Sequence, residues 1–438
     1  MGKKNNTQKT IVHFDLGGSK ISGVAGIVEE NGALTVLGEE RRDSEDNIKS
    51  GLIEKVNAVA YRINELTKLL QNSLRIEPIQ TVSISVNPKS MKLSHKTIHH
   101  PIERTVTPEL LKKVKRELKA AINSDKVYVY SIDELEYFVD GRPYEDPVGI
   151  KGNDLRVDYQ VVAGNKLVQE SIERCFDRTG IAVDYIHLGV DALSTAVLDD
   201  EDRENGCAVI AFGATSTTLA VYNEGKLQDS FMVPFGGLNI TKDIQELGIK
   251  YEYAELLKCK KGSALESCIA QPVNIKAPSV DPEKEHVMIS TAFLATIIES
   301  RLTEIMEPIF DIINQITYRL QNGIIITGGG SKLLNLKEFI TEKTGFQVRE
   351  GNHTEWLSEE TDEKFFQPEY AQAVGAMILT HDLMMKKKAD EEAAIEPKIK
   401  KGLFGKMGKI ISDNAQRIFE YEEMNSGQND NNQNQTKE

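Results

Sequence analysis

The residues best suited to chemistry lie in a short run, Asp15-Leu16-Gly17-Gly18-Ser19-Lys20, flanked by apolar residues: Ile11 and Val12 before it, Ile21, Val24 and Ile27 after it. Two apolar runs joined by a glycine-rich bend read as a β-hairpin. Such a bend is either a plain turn or a nest of inward N–H groups for phosphate oxygens. In the second case Lys20 adds a point charge, and Asp15 at the strand end holds Mg²⁺ or its waters. Recurrence favours the nest. A second glycine-punctuated hairpin spans Ala208 to Tyr222, with Gly213, Ala214, Thr215 and Ser216 at its bend. A third glycine cluster, Gly328, Gly329, Gly330 and Ser331, closes the apolar strand that begins at Ile324.

These turns need strands and helices to carry them. Ile48, Leu52, Val56, Val59, Ile63, Leu66 and Leu70 recur at three- and four-residue steps, which predicts a long amphipathic helix leading into a strand at Thr81 to Val86. Between Pro88 and Asp158 the chain turns rich in His, Lys and Arg. It reads there as an inserted α+β subdomain with a helix at Pro108 to Ile122, strands near Val127 to Ile132 and Leu155 to Ala163, and a turn-rich stretch from Glu136 to Asn153. Its charges, His99 and His100 included, read as a solvated face. A helix from Lys166 and a strand from Ile181 follow, and Asp199 to Asp202 open the second half. Gly236 and Gly237 form another strand-to-helix turn, and Glu255 and Lys258 share a helix face at three-residue spacing, the pattern of a surface ion pair. A long helix from Met288 to Arg319 precedes the GGG strand, and a last core helix opens at Pro368 and runs to Met385.

At 438 residues the chain is long enough for more than one core, and its formal net charge of −14 disfavours nucleic acid as a partner. No window approaches the apolar length of a spanning helix, the first ten residues carry no apolar signal core, and Asn6 stands where a myristoylation site requires Ser or Thr. Cys175, Cys207, Cys259 and Cys268 lie far apart, as expected of reduced thiols in a cytosolic protein and not of a disulfide framework or zinc site.

From Lys386 the chain becomes a charged linker that cannot bury a core. Beyond it, Leu403, Phe404, Met407, Ile410, Ile411, Ile418 and Phe419 gather on one side of a helical wheel, with Lys406, Lys409, Asp413, Gln416 and Arg417 on the other. A basic amphipathic helix on an acidic protein suits an anionic lipid surface, where each Lys or Arg contributes about 1 kcal/mol. Docking on a partner protein or on its own body is the alternative. One such helix attaches reversibly, so lasting attachment calls for many copies in a polymer. The Asn/Gln-rich tail reads as disordered.

The combination of DLGGSKI, DGRPYEDPVGIKG, PFGGLNITKDI, AELLKCKKGSAL, ITGGGSKL, PEYAQAVGA and the terminal helix resembles the FtsA family of actin-like bacterial cell-division proteins over almost the whole length. The resemblance implies an actin-like, ribonuclease-H-like α/β fold of two lobes with an inserted small α+β subdomain and a C-terminal amphipathic helix. It divides the chain into a first lobe (1–87, 164–199 and 366–385), the insert (88–163), a second lobe (200–365), a linker (386–401), a membrane-targeting helix (402–421) and a tail (422–438).

It further implies ATP with Mg²⁺, the first phosphate loop at Asp15, Gly17, Gly18, Ser19 and Lys20, and a metal role for Asp15. Gly236, Gly237, Glu255 and Lys258 would lie around the ribose and base, and Gly328, Gly329, Gly330 and Ser331 at the adenosine. Implied partners are FtsZ, further copies of the chain, anionic membrane lipids, and other division proteins through the insert. The implied place is the cytoplasmic face of the inner membrane at the septum. Where the family's second loop reads approximately DIGGGTTD, this chain has Ala211 to Thr218 without either carboxylate. Loss of one preorganised electrostatic element costs about 10² to 10³ in rate, so weak or absent ATP hydrolysis is expected. Rival readings are a pilus-assembly or chaperone-type actin relative and a sugar kinase. The kinase lacks support beyond Asp191, which lies in an otherwise apolar helix start.

Overall fold

The computed structural model describes residues 9–316 and 320–389. The chain divides into two units, Met1–Thr380 and His381–Glu438. Of the second, residues 381–389 are described and are helical, so helix covers the first four residues of the expected linker. The apolar residues named for membrane contact, Leu403 to Phe419, lie outside the described residues.

The first unit opens with an antiparallel meander, β1 (Ile11–Leu16), β2 (Lys20–Val28) and β3 (Leu34–Asp43). A small ribbon, β4 (Ile48–Lys49) and β5 (Leu52–Ile53), precedes α1 (Val56–Leu74). Ile48 and Leu52 therefore do not belong to the helix that their spacing suggests. The ribbon turns through Ser50 and Gly51, both with positive φ, as are Glu45 and Asp46 before it, and helical dihedrals cannot pass through such residues. The rest of the apolar stripe behaves as its spacing dictates: Val59, Ile63, Leu66 and Leu70 are fully buried. Each such side chain contributes about 1.5–3 kcal/mol on leaving water. After α1, strand β6 (Thr81–Val86) pairs parallel to β1.

The insert follows as β7 (Lys92–Pro101), α2 (Pro108–Ile122), β8 (Val127–Val139), β9 (Arg142–Tyr144) and β10 (Asp154–Asn165). Its strands form an antiparallel sheet of their own, order β7-β10-β8-β9, over a core that includes Val114, Leu118, Leu155 and Tyr159. The Thr107 hydroxyl caps α2 by accepting from the Leu110 N–H, with Pro108 at the first helical position. Strand β8 reaches Val139, well into the stretch expected to be turns, because its residues pair along β10 across two register shifts. His99 pairs with Asp154 at 2.9 Å, and His100 bonds the Pro101 carbonyl.

The chain returns to the first sheet through α3 (Lys166–Asp177), β11 (Ala182–Leu188) and α4 (Gly189–Val197), giving strand order β11-β6-β1-β2-β3. The second half repeats this plan. After α5 (Asp200–Asn205), β12 (Cys207–Phe212), β13 (Thr217–Asn223) and β14 (Lys226–Val233) form a meander. Next come α6 (Gly237–Gln245), α7 (Tyr251–Lys261), β15 (Asn274–Pro278), β16 (His286–Ser290) and α8 (Thr291–Gln315). Met288 lies in β16, where it pairs with Lys276, so the long helix starts three residues later than expected, at a Ser290 cap. Strand β17 (Ile324–Thr327) then joins β12 in parallel, and α9 (Leu336–Thr344) leads to β18 (Val348–Glu350), for an order of β14-β13-β12-β17-β18. Parallel neighbours require crossovers long enough to hold a helix, and both sheets have them.

Residues 371–380 are helical and cross α4 at Gly375, where a β-carbon would stand 1.8 Å from the Ala192 carbonyl oxygen. Among the described residues no helix is long and apolar enough to cross a membrane. All four cysteines are free.

Candidate nucleotide site

The duplicated plan gives two equivalent turns. Leu16 pairs with Ile21 and Phe212 with Thr217, so Gly17-Gly18-Ser19-Lys20 and Gly213-Ala214-Thr215-Ser216 occupy matching four-residue bends. Both open with a glycine for the same reason. A β-carbon on Gly17 would stand 2.8 Å from the Lys20 carbonyl oxygen, and one on Gly213 would stand 2.9 Å from that of Ser216. The two bends also meet each other, since a β-carbon on Gly18 would come within 2.6 Å of the Thr215 hydroxyl. Together they line one cleft of about 470 Å³. That volume lies in the range of small-molecule sites.

The two halves differ in charge. Asp15 is fifth in β1 and Ala211 fifth in β12, and their parallel partners are Ser85 and Thr327. At the bends, Lys20 on the first matches Ser216 on the second. One turn thus brings both a carboxylate and a cation, and its counterpart brings hydroxyls and amides.

The second turn is fixed from behind. Its Gly213 and Ala214 carbonyls accept from the Gly237 and Leu238 N–H groups at the start of α6, at 3.0 and 2.9 Å. In a planar trans peptide the N–H points opposite to the C=O, so the Ala214 and Thr215 N–H groups are aimed away from α6. Among the described residues neither has a protein acceptor. Gly236 is required at this junction, because a β-carbon there would stand 2.5 Å from the Gly213 oxygen.

Asp15 sits in a polar network. Its Oδ1 accepts from Gln372 Nε2 at 2.8 Å and from the Ser85 hydroxyl at 3.3 Å. Burial pushes its carboxyl above the ordinary range, against the pull of Lys20 and of these two hydrogen bonds. Beneath it, fully buried His13 bonds Ser83 and Ser85 at 3.0 and 3.2 Å, and burial, helped by His187, holds it down to about 3. His187 bonds Thr380 at 2.8 Å and is lowered by burial to about 4.

The residues singled out from sequence divide into two sets. Asp15, Gly17, Gly18, Ser19, Lys20, Gly213, Ala214, Thr215, Ser216, Gly328 and Gly329 line the cleft. Gly236, Gly237, Glu255, Lys258, Gly330 and Ser331 do not. Gly328 has φ +85 and lies against the Phe212 carbonyl, while Gly330 packs on the Phe212 ring, so two of the three glycines are needed for packing at the end of β12. Ser331 bonds the Gly328 carbonyl at 2.8 Å. Glu255 and Lys258 make the expected ion pair, at 2.7 Å, and Lys258 also donates to the Gly237 carbonyl and Thr241. Partial burial raises the Glu255 carboxyl, but hydrogen bonds from Lys258 and Thr241 outweigh it and leave it below the usual range.

Other cleft residues come from outside the glycine turns. Lys49 arrives on the β4–β5 ribbon and Asp46 on the segment before it, which is tied to the first turn by Ser44, whose N–H donates to the Ser19 carbonyl and whose hydroxyl donates to that of Gly18. Ser85, Asn87 and Gln372 arrive from β6 and the last helix. The Ser85 position follows from β1–β6 pairing, and Gln372 lies in the PEYAQAVGA run, which reads in the sequence only as the start of a core helix.

Among the described residues no three His, Cys, Asp or Glu side chains gather as a metal site. The residues do fit Mg²⁺ carried on phosphates, which needs only one or two protein carboxylates. A half-buried carboxylate with one oxygen engaged, beside the bend that carries Lys20, is such a donor.

The family described as Cell division protein FtsA matches residues 208–375. Relatives of the same name include that of Escherichia coli K12, 25% identical over 80% of this chain and 85% of its own. Those of Borreliella burgdorferi (26%, covering 86% and 92%) and Pseudomonas aeruginosa (28%, covering 78% and 83%) are similar. Among solved structures, the PilM-PilN type IV pilus biogenesis complex aligns with TM-score 0.57 at 18% identity, over 84% of this chain and 98% of that one. MreB5 of Spiroplasma citri bound to ADP aligns with TM-score 0.52 at 11% identity, over 87% and 98%. The fold is therefore actin-like.

Proposed function

We propose that this chain, a relative of the FtsA cell-division proteins on an actin-like fold, binds ATP with Mg²⁺ in the cleft between its two glycine turns and hydrolyses it weakly or not at all. The observation that carries the reading is the meeting of Gly18 and Thr215, one from each sheet, in a single cleft. Lys20 and the free Ala214 and Thr215 N–H groups would hold phosphate oxygens, and Asp15 would hold the metal or its waters. Bound Mg²⁺ would neutralise phosphate charge. With Ala211 and Ser216 where the first half has Asp15 and Lys20, the second turn has no carboxylate with which to position an attacking water. Nucleotide then supports assembly more than turnover.

In this reading the chain polymerises on the inner membrane at the septum and anchors FtsZ. Residues 402–419 serve as a lipid-binding foot, and the insert, 88–163, meets other division proteins. Support comes from the family match, the fold and the basic amphipathic pattern of the terminal segment. Electron microscopy on lipid monolayers, with and without ATP, tests it. Filaments are expected with the full chain and not with a chain ending before Lys400. Brisk steady-state turnover of Mg·ATP would sink the weak-hydrolysis part, and lipid binding by the shortened chain would sink the foot.

A further inference from the structure

We propose that Gln372 is the positioning residue of the cation site. It holds Asp15 with one carboxylate oxygen committed and the other free for a divalent ion, so that the last helix of the first unit senses whether the ion is present. The proposal rests on the ATP·Mg²⁺ reading above and names a residue which that reading does not use.

The geometry is specific. Both hydrogens of the Gln372 amide nitrogen are employed, one toward Asp15 Oδ1 at 2.8 Å and one toward the Ser85 hydroxyl at 2.7 Å. The amide oxygen accepts from Asn87 Nδ2 at 3.1 Å, which fixes which way the amide faces. Asn87 is itself wedged against Gly189 at the start of α4, where a β-carbon would collide with its side-chain amide at 2.2 Å. Asp15 Oδ2 accepts no bond from Gln372 or Ser85 and lies on the side of the first turn, 3.9 Å from where a Gly17 β-carbon would stand.

A partner that orients a ligating carboxylate typically governs metal affinity by about 10- to 100-fold without touching the metal. The charge asymmetry of the site makes the orientation matter here, because β12 offers Ala211 and no second carboxylate at the matching position. The helix that carries Gln372 is seated on α4 at Gly375, so a shift of Asp15 toward an ion would pull on a packed element and not on a loop.

The test is calorimetric titration of the full-length chain with ATP, once with Mg²⁺ and once with EDTA. Wild type, Gln372→Met, which keeps the shape without the donor, and Asn87→Ala, which frees the amide without touching Asp15, are compared. In wild type, Mg²⁺ is expected to tighten ATP at least about 10-fold. In Gln372→Met that ratio is expected to fall toward 1 while affinity in EDTA stays within about 2-fold, with Asn87→Ala in between. A purely structural role would weaken both conditions alike and would overturn the proposal, as would an unchanged ratio in Gln372→Met or, should that variant not fold, in Asn87→Ala. If wild type binds no ATP in either condition, the nucleotide reading itself fails and this proposal with it. If wild type binds ATP and Mg²⁺ makes no difference, only the present proposal falls.

Discussion

Burial without charge is the recurring theme among single residues near the cleft. His13 and His187, held to about 3 and 4, stay neutral in the folded chain, whereas unfolded histidines titrate near 6.5. As pH falls from 6.5 toward 4 the unfolded chain takes up two protons that the folded chain refuses, so stability declines by about 1.4 kcal/mol per unit for each. Asp191 acts in the opposite sense. Burial, with a smaller push from Asp133 and against Arg203, raises it to about 7 from 3.8, so the folded chain holds a proton that the unfolded one lacks. Its contribution grows as pH falls through the same window and offsets one histidine. Between pH 6.5 and 5, urea denaturation is expected to show a loss about 2 kcal/mol larger in Asp191→Asn than in wild type. Equal losses would mean that Asp191 is ionised in the folded chain.

At the level of elements, the approach of the last helix to α4 sets the position of everything that helix carries. A methyl group at Gly375 would strike backbone of α4, the Ala192 carbonyl and the Ala196 nitrogen, and not the yielding end of a side chain. Gly375→Ala is therefore expected to cost at least about 1–3 kcal/mol by thermal or urea melting, the range for overpacked cores. It should also reduce the Mg²⁺ dependence of ATP affinity, because Gln372 would move with the helix. A variant as stable as wild type would show that the two helices separate freely.

The two five-stranded sheets of the first unit follow one plan, and the cleft exists because a turn from each meets the other. A ligand held by both must stabilise both, by about 2.7 kcal/mol at one hundred times its dissociation constant. Hydrogen exchange with saturating ATP is accordingly expected to slow at residues 17–20 and at 213–216 together. Protection confined to one turn would mean that the nucleotide is held by one sheet alone. The insert is also bound to the sheet of β12, through Gln160 to the Leu227 carbonyl and Lys226 to that of Leu135 at 3.0 Å.

By itself, the sequence determined what depends on neighbours along the chain. Alternating and three-to-four periodicity marks β6, α2 and most of α1, and glycine runs mark the turns, because burial of one face and backbone freedom are local demands. It misjudged Ile48, Leu52 and Met288, where apolar spacing suits a helix but a positive-φ turn or a cross-strand partner decides otherwise. Only the tertiary structure decided that Gly18 faces Thr215, that Ala211 is the counterpart of Asp15, and that Gln372 reaches that aspartate from 357 residues away. Those relations come from sheet pairing and helix crossing, which no periodicity records.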